Sequence, residues 1–159
     1  MTVQVGDKIP SANLTLMGDG IESISTEDLC AGKKVVIFAV PGAFTPTCSA
    51  QHLPGFAQHM DDFKAKGVDT VACMAVNDVF VMDAWGKSQS VPDDLMMLAD
   101  GNGEFTRALG LELDGTGFGM GMRSQRFALV VDNGELTNVL VEAPGEFKVS
   151  SAEYVLETL

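Results

Sequence analysis

The hydrophobic pattern divides the chain into short apolar runs separated by segments of helical period. Val35–Val40, VVIFAV, contains no polar position, and Val68–Val76 is nearly as apolar. Runs without polar alternation are strands buried on both faces, as at the centre of an α/β sheet. Leu95–Ala99 is a third, shorter run, and Phe127–Val131 leads through Asp132-Asn133-Gly134, a strong hairpin turn, into a strand over Glu135–Glu142. Near the N-terminus, Asn13–Met17 and Ile21–Ser25 read as a hairpin around Gly18-Asp19-Gly20. Helical period appears after Cys48, where Leu53, Phe56, Met60 and Phe63 form one apolar stripe of a helix running to about Lys66. Pro54-Gly55 predicts a kink inside that helix. Asn77-Asp78 opens the next helix, with Phe80, Ala84 and Trp85 expected to face the sheet. Glu104–Leu109, closed by Gly110, is a short helix. Capping-box patterns at Ser25–Asp28 and Ser150–Glu153 open a short helix ended by Gly32 and a last helix with Val155, Leu156 and Leu159 inward. A helix crossing between two buried runs is a βαβ unit, so the fold class is α/β.

Composition narrows the function classes. The 159 residues suffice for one domain with a sizeable core, and a net charge of −12 argues against nucleic acid and anionic membrane surfaces as partners. No run reaches the length of a membrane-spanning helix, and MTVQVGDKIP lacks a signal-peptide core. Three cysteines form no disulfide scaffold. They point to a reducing compartment, the cytoplasm being the simplest, or an organelle if a targeting peptide has been removed.

The candidate chemistry centres on Pro41–Phe56, PGAFTPTCSAQHLPGF. Pro41-Gly42 break the first apolar run, Thr45 suits a helix N-cap, and Pro46 suits the first helical position. Cys48 then falls in the first turn, where free N–H groups and the helix dipole favour an anion. A thiol there is expected to be acidified, and the thiolate is the reactive form. The alternative, a small buried hydrophobe, leaves Pro41, Thr45 and Pro46 without a shared purpose. Thr45 stands where a C-x-x-C disulfide reductase has its first cysteine, so the chemistry is that of a single thiol. His52 and His59 are too few for a metal site and read as partly exposed structural histidines. Cys30 reads as packing or an incidental surface thiol, and Cys73, in mid-strand, as core. Asp114–Gly121, DGTGFGMG, lacks phosphate-loop spacing and lysine and reads as a flexible surface loop near the site. Arg123 and Arg126 stand at the start of the strand from Phe127; read alone, they are solvated charges.

Pro41-x-x-x-Thr45-x-x-Cys48 resembles the active-site signature of the peroxiredoxins. The longer stretch resembles the type II, peroxiredoxin-five-like branch, with further similarity in Val71–Gly86, Arg123–Gly134 and Gly145–Leu159. The resemblance implies a single thioredoxin-like domain over residues 1–159, a mixed central sheet flanked by helices with an N-terminal hairpin extension. It implies a peroxidase of hydrogen peroxide and alkyl hydroperoxides, cycling Cys48 between thiolate and sulfenic acid. By the same resemblance Arg126 is the active-site arginine, Thr45 orients the peroxide and donates to the thiolate, and Pro41 covers the sulfur. Arg123 matches a second basic position of less defined role. No resolving cysteine stands near the C-terminus, where the chain has Ser150 and Ser151. Glutathione and glutaredoxin are therefore the expected reductants. Alternatives are thioredoxin with Cys73 as a resolving cysteine, as some type II members are assigned, and a peroxide sensor or relay. A non-catalytic scaffold of the same fold is a further alternative. The family also implies a homodimer; no metal or bound cofactor is expected.

Overall fold

The computed structural model describes residues 1–159. In chain order it has β1 (Asn13–Met17), β2 (Ile21–Ser25), α1 (Thr26–Cys30), β3 (Lys34–Ala39), a π-turn (Cys48–His52), α2 (Leu53–Gln58), α3 (Met60–Ala65) and β4 (Thr70–Ala75). There follow α4 (Val79–Ser88), β5 (Leu95–Ala99), α5 (Glu104–Leu109), β6 (Glu112–Asp114), a 3-10 turn (Thr116–Phe118), β7 (Met122–Ser124), β8 (Phe127–Asp132), β9 (Glu135–Val141) and α6 (Ala152–Thr158).

Seven strands form one mixed sheet in the order β2-β1-β5-β4-β3-β8-β9. β3, β4 and β5 are parallel, and β8 and β9 extend the sheet antiparallel beside β3. The N-terminal hairpin extends the other edge, pairing Thr15 with Ala99. β3 explains its own sequence: Val36, Phe38 and Val40 enter the core under α2, α3, α4 and α6, while Val35, Ile37 and Ala39 enter the core on the opposite face. Both sets are fully buried, which is why the run has no polar position. Asn133 and Gly134, both at positive φ (49° and 86°), make the turn between β8 and β9.

Two expectations need correction. The helix after Cys48 is not continuous with a kink at Pro54. It begins with the π-turn, in which the Leu53 N–H donates to the Cys48 carbonyl, and breaks at His59 (φ −104°, ψ 14°) between α2 and α3. Pro54 stands in the first turn of α2, where its missing N–H is tolerated. On α4, Val79, Met82, Trp85 and Gly86 face the core, whereas Phe80 is 62% exposed and Ala84 is exposed. Asp78 caps this helix through the Val81 N–H, which sets the phase that turns Phe80 outward. The glycine-rich segment lies at the surface near the site, as expected, and forms the tip of the β6–β7 ribbon, closed by the Gly115 N–H to the Gly121 carbonyl.

Candidate active site

The site begins where β3 ends. From Pro41 to Thr45 the chain turns sharply, and two side-chain bonds hold the turn. The Ala43 N–H donates to Asn77 Oδ1 at 2.9 Å, and the Thr45 hydroxyl donates to the Gly42 carbonyl at 2.7 Å. Phe44 is forced to φ 64°, a conformation costing a non-glycine residue about 1–3 kcal/mol. Gly42 is closely approached: a Cβ there would stand 3.3 Å from Thr45 Cγ2 and from Met120 Cε, and 3.5 Å from Arg123 Nη1. The helix then starts as the Ser49 N–H bonds the Thr45 carbonyl. Thr45 thus caps through its backbone. Its hydroxyl proton is spent on Gly42, so it makes no bond to the sulfur and keeps only lone pairs for a ligand.

Cys48 is fully buried on the α2 side of the sheet, among Phe38, Val40 and Leu53. Arg126, the residue before β8, reaches it across the sheet: Nη2 donates to Cys48 Sγ at 3.1 Å. The sequence pairing of Arg126 with Cys48 is therefore met in space. Arg123 is directed elsewhere, Nε donating to the Met120 carbonyl and Nη1 to the Val76 carbonyl. It ties the glycine-rich ribbon to the end of β4.

The residue that sequence reasoning missed is His52. It is fully buried rather than partly exposed, and its ring links two partners. Arg126 Nη1 lies 2.8 Å from Nδ1, and the Ser150 carbonyl lies 2.9 Å from Nε2. A guanidinium only donates and a carbonyl only accepts, so Nδ1 accepts and Nε2 carries the proton. Burial, and next the Arg126 charge, lower the His52 pKa from 6.5 to about 3. The imidazole is therefore neutral, and it fixes the second arm of the guanidinium whose first arm meets the sulfur. Phe147 packs edge-on to His52 at 5.0 Å and lies 5.8 Å from the Arg126 guanidinium carbon. The one sequence signal for His52 was its spacing, one turn after Cys48.

Of the other candidates, Cys73 shares the buried core face of Cys48, whereas His59 and Cys30 lie away from it. His59 bonds Asp62 at 2.8 Å and Glu153 at 3.3 Å near the surface, away from the site. Cys30 is buried, and burial pushes its thiol up to about 11. Cys73 is buried in mid-β4, in register with Phe38 and Met97, and burial holds its pKa well above the ordinary value. No group of three His, Cys, Asp or Glu side chains stands close enough to hold a metal ion. No helix is long and apolar enough to cross a membrane.

A buried thiol under a fixed guanidinium is equipped for reaction with a small oxygen electrophile, and comparison with known proteins agrees. The Redoxin family model matches residues 4–156. The chain is similar to Peroxiredoxin-2C of Oryza sativa, 50% identical over 159 residues, which cover 99% of this chain and 98% of that protein. It is also similar to Peroxiredoxin-2C of Arabidopsis thaliana, 48% identical with the same coverage. Among solved structures, reduced Prx3 of Vibrio vulnificus in complex with hydrogen peroxide superposes with a TM-score of 0.95 at 51% identity, covering 99% of each chain. Peroxiredoxin 5 of Alvinella pompejana superposes with a TM-score of 0.85 at 36% identity, covering 98% of this chain and 97% of that one. Matched over nearly its whole length, the chain belongs to the redoxin family and, within it, to the type II peroxiredoxins, the thiol-dependent peroxidases.

Proposed function

We propose that Cys48 is the peroxidatic nucleophile and that Arg126 stabilises the charge moving along the peroxide. The observation that carries this reading is the 3.1 Å contact from Arg126 Nη2 to Cys48 Sγ. The Cys48 thiolate attacks the terminal oxygen of hydrogen peroxide or an alkyl hydroperoxide. An S–O bond forms as the O–O bond breaks, and Cys48 is oxidised to sulfenic acid. The leaving oxygen departs as hydroxide or alkoxide and takes a proton from water. A low thiol pKa alone does not make a fast peroxidase, because nucleophilicity falls with it. Rate comes from donors placed where charge develops, here Arg126 and the N–H groups of the first helical turn. Thr45 accepts a hydrogen bond from the peroxide hydroxyl through its free lone pairs and so sets the line of attack. Pro41 shields the sulfur from water.

Regeneration uses an external thiol. Glutathione attacks the sulfenic sulfur, water leaves, and glutaredoxin resolves the mixed disulfide. Cys73 is a packing residue in this reading: it shares the core face of Cys48, but burial holds its thiol well above the ordinary range and so disfavours the thiolate that resolution needs. Such a cycle belongs in a reducing compartment such as the cytoplasm. A homodimer is favoured by the apolar residues left exposed, with Phe44 54%, Phe80 62% and Met122 55% accessible.

Peroxide turnover with glutathione and glutaredoxin tests the cycle. Cys48→Ser loses turnover and Cys73→Ser keeps it. Loss of turnover in Cys73→Ser, with sulfenic acid still forming on Cys48, would make Cys73 the resolving thiol and thioredoxin the reductant.

A further inference from the structure

We infer that Glu142 is a positioning residue for peroxide reduction, acting on Arg126 through a loop it holds together; this rests on the Cys48–Arg126 reading above. Glu142 follows β9 directly and stands across from Arg126, its N–H bonding the Arg126 carbonyl at 3.0 Å. The residue is 6% exposed, and its carboxylate turns into the segment Ala143–Ser150, which has no helix or strand of its own. Oε2 accepts from three successive backbone N–H groups, Lys148 at 2.8 Å, Val149 at 2.9 Å and Ser150 at 2.8 Å, and from the Ser150 hydroxyl at 2.7 Å. Oε1 takes a further bond from the Lys148 N–H at 2.9 Å. Consecutive N–H groups converging on one oxygen form an anion nest, and here the anion is supplied by the chain itself.

What the nest fixes is the direction of the Ser150 carbonyl. That carbonyl receives the His52 Nε2 proton, and His52 Nδ1 in turn receives Arg126 Nη1. The same segment carries Phe147 against His52 and near the Arg126 guanidinium. The contacts close a ring: Arg126 backbone, Glu142, Ser150, His52, Arg126 side chain. A capping carboxylate of purely local purpose would need none of the later members. In a loop without secondary structure this carboxylate decides whether Nη2 is aimed at Cys48 or released.

The test separates positioning from stability by comparing two reactions of one thiol. Peroxide needs the aimed guanidinium for its leaving oxygen, whereas alkylation of Cys48 by iodoacetamide needs the thiolate and access to it but no aimed donor. The ratio of the two second-order rate constants cancels changes in thiolate fraction. Glu142→Gln, which sets an amide against the nest, lowers that ratio about tenfold, within the loss of up to about 100-fold that a misplacement of about 1 Å causes. Ser150→Ala, which removes a single donor and keeps the carbonyl, lowers it about threefold, the low end of one hydrogen bond's worth because the backbone bonds to the carboxylate remain. In a His52→Ala background the Glu142→Gln effect disappears, because the link it acts through is gone. A folded Glu142→Gln protein with an unchanged ratio, or a full effect that persists without His52, would overturn the inference. If Glu142→Gln does not fold, an unchanged ratio in Ser150→Ala overturns it instead. Arg126→Ala run alongside keeps the two readings apart. If it leaves the ratio unchanged, the Cys48–Arg126 reading itself has failed; if it lowers the ratio and the Glu142 and Ser150 variants do not, only the present inference has.

Discussion

At the scale of single residues, His52 makes the protein sensitive to mild acid. Its pKa falls from 6.5 to about 3 on folding. Below pH 6.5 the unfolded chain takes up a proton that the folded chain refuses, so stability is lost as pH falls from about 6.5 towards 3. The slope is about 1.4 kcal/mol per pH unit for one proton. His59 has the opposite sign: the Asp62 hydrogen bond raises its pKa, and its contribution, full below 6.5, is lost as pH rises through the raised value. It is solvated, so the buried group dominates. Denaturant midpoints between pH 7 and pH 5 should therefore fall in the wild type and stay nearly level in His52→Gln; equal slopes in the two would contradict the assignment. Cys48 was legible from its local neighbours, because Pro41, Thr45 and Pro46 are all within seven residues of it. His52 was not, because its partners Arg126 and Ser150 are 74 and 98 residues away. Ser150 illustrates the same limit: its local pattern is a capping box, yet Ser151 does the capping and Ser150 serves Glu142.

At the scale of elements, the proposed regeneration by an external thiol makes the π-turn at Cys48–His52 the segment that must open. A fully buried sulfur that must meet an external thiol requires this turn to unwind. Pro54 protects the widened geometry, since it has no N–H with which to tighten the turn onto Ala50. Pro54→Ala supplies that donor. A net hydrogen bond of about 1 kcal/mol slows opening about fivefold, so glutaredoxin-dependent turnover should fall by that factor while the peroxide step keeps its rate. Trp85 reports the event: it is the one tryptophan, and its indole N–H bonds Ser49 Oγ, beside Cys48, at 3.0 Å. A fluorescence change after one equivalent of peroxide, slowed in Pro54→Ala, is the expected result, and identical kinetics in the two proteins would count against it. The sequence carried the helical stripe and the proline, and misplaced the break. Proline rules forbid an N–H at Pro54, but the choice between a kink there and a wider turn upstream depends on packing against Phe38 and Trp85.

At the scale of the whole molecule, the sheet brings residues from both ends of the chain to one cysteine. β3 delivers the loop that starts the helix, β8 delivers Arg126, and the segment after β9 delivers Phe147 and the Ser150 carbonyl. The buried runs, the β8–β9 hairpin and the N-terminal hairpin were readable from apolar pattern and turn residues. The strand order was not, because placing β8 antiparallel beside β3 depends on pairing across about 90 residues, for which a single sequence carries no local signal. What the assembled site claims is that one thiol reacts and one guanidinium accelerates it. The most direct measurement is the second-order rate constant for hydrogen peroxide in the wild type, Cys48→Ser and Arg126→Ala, with Cys30 and Cys73 left in place. The account predicts no reaction in Cys48→Ser and a loss of more than about tenfold in Arg126→Ala, the scale of one charge-stabilising donor. Undiminished peroxide consumption in Cys48→Ser, or a wild-type rate constant in Arg126→Ala, would contradict it.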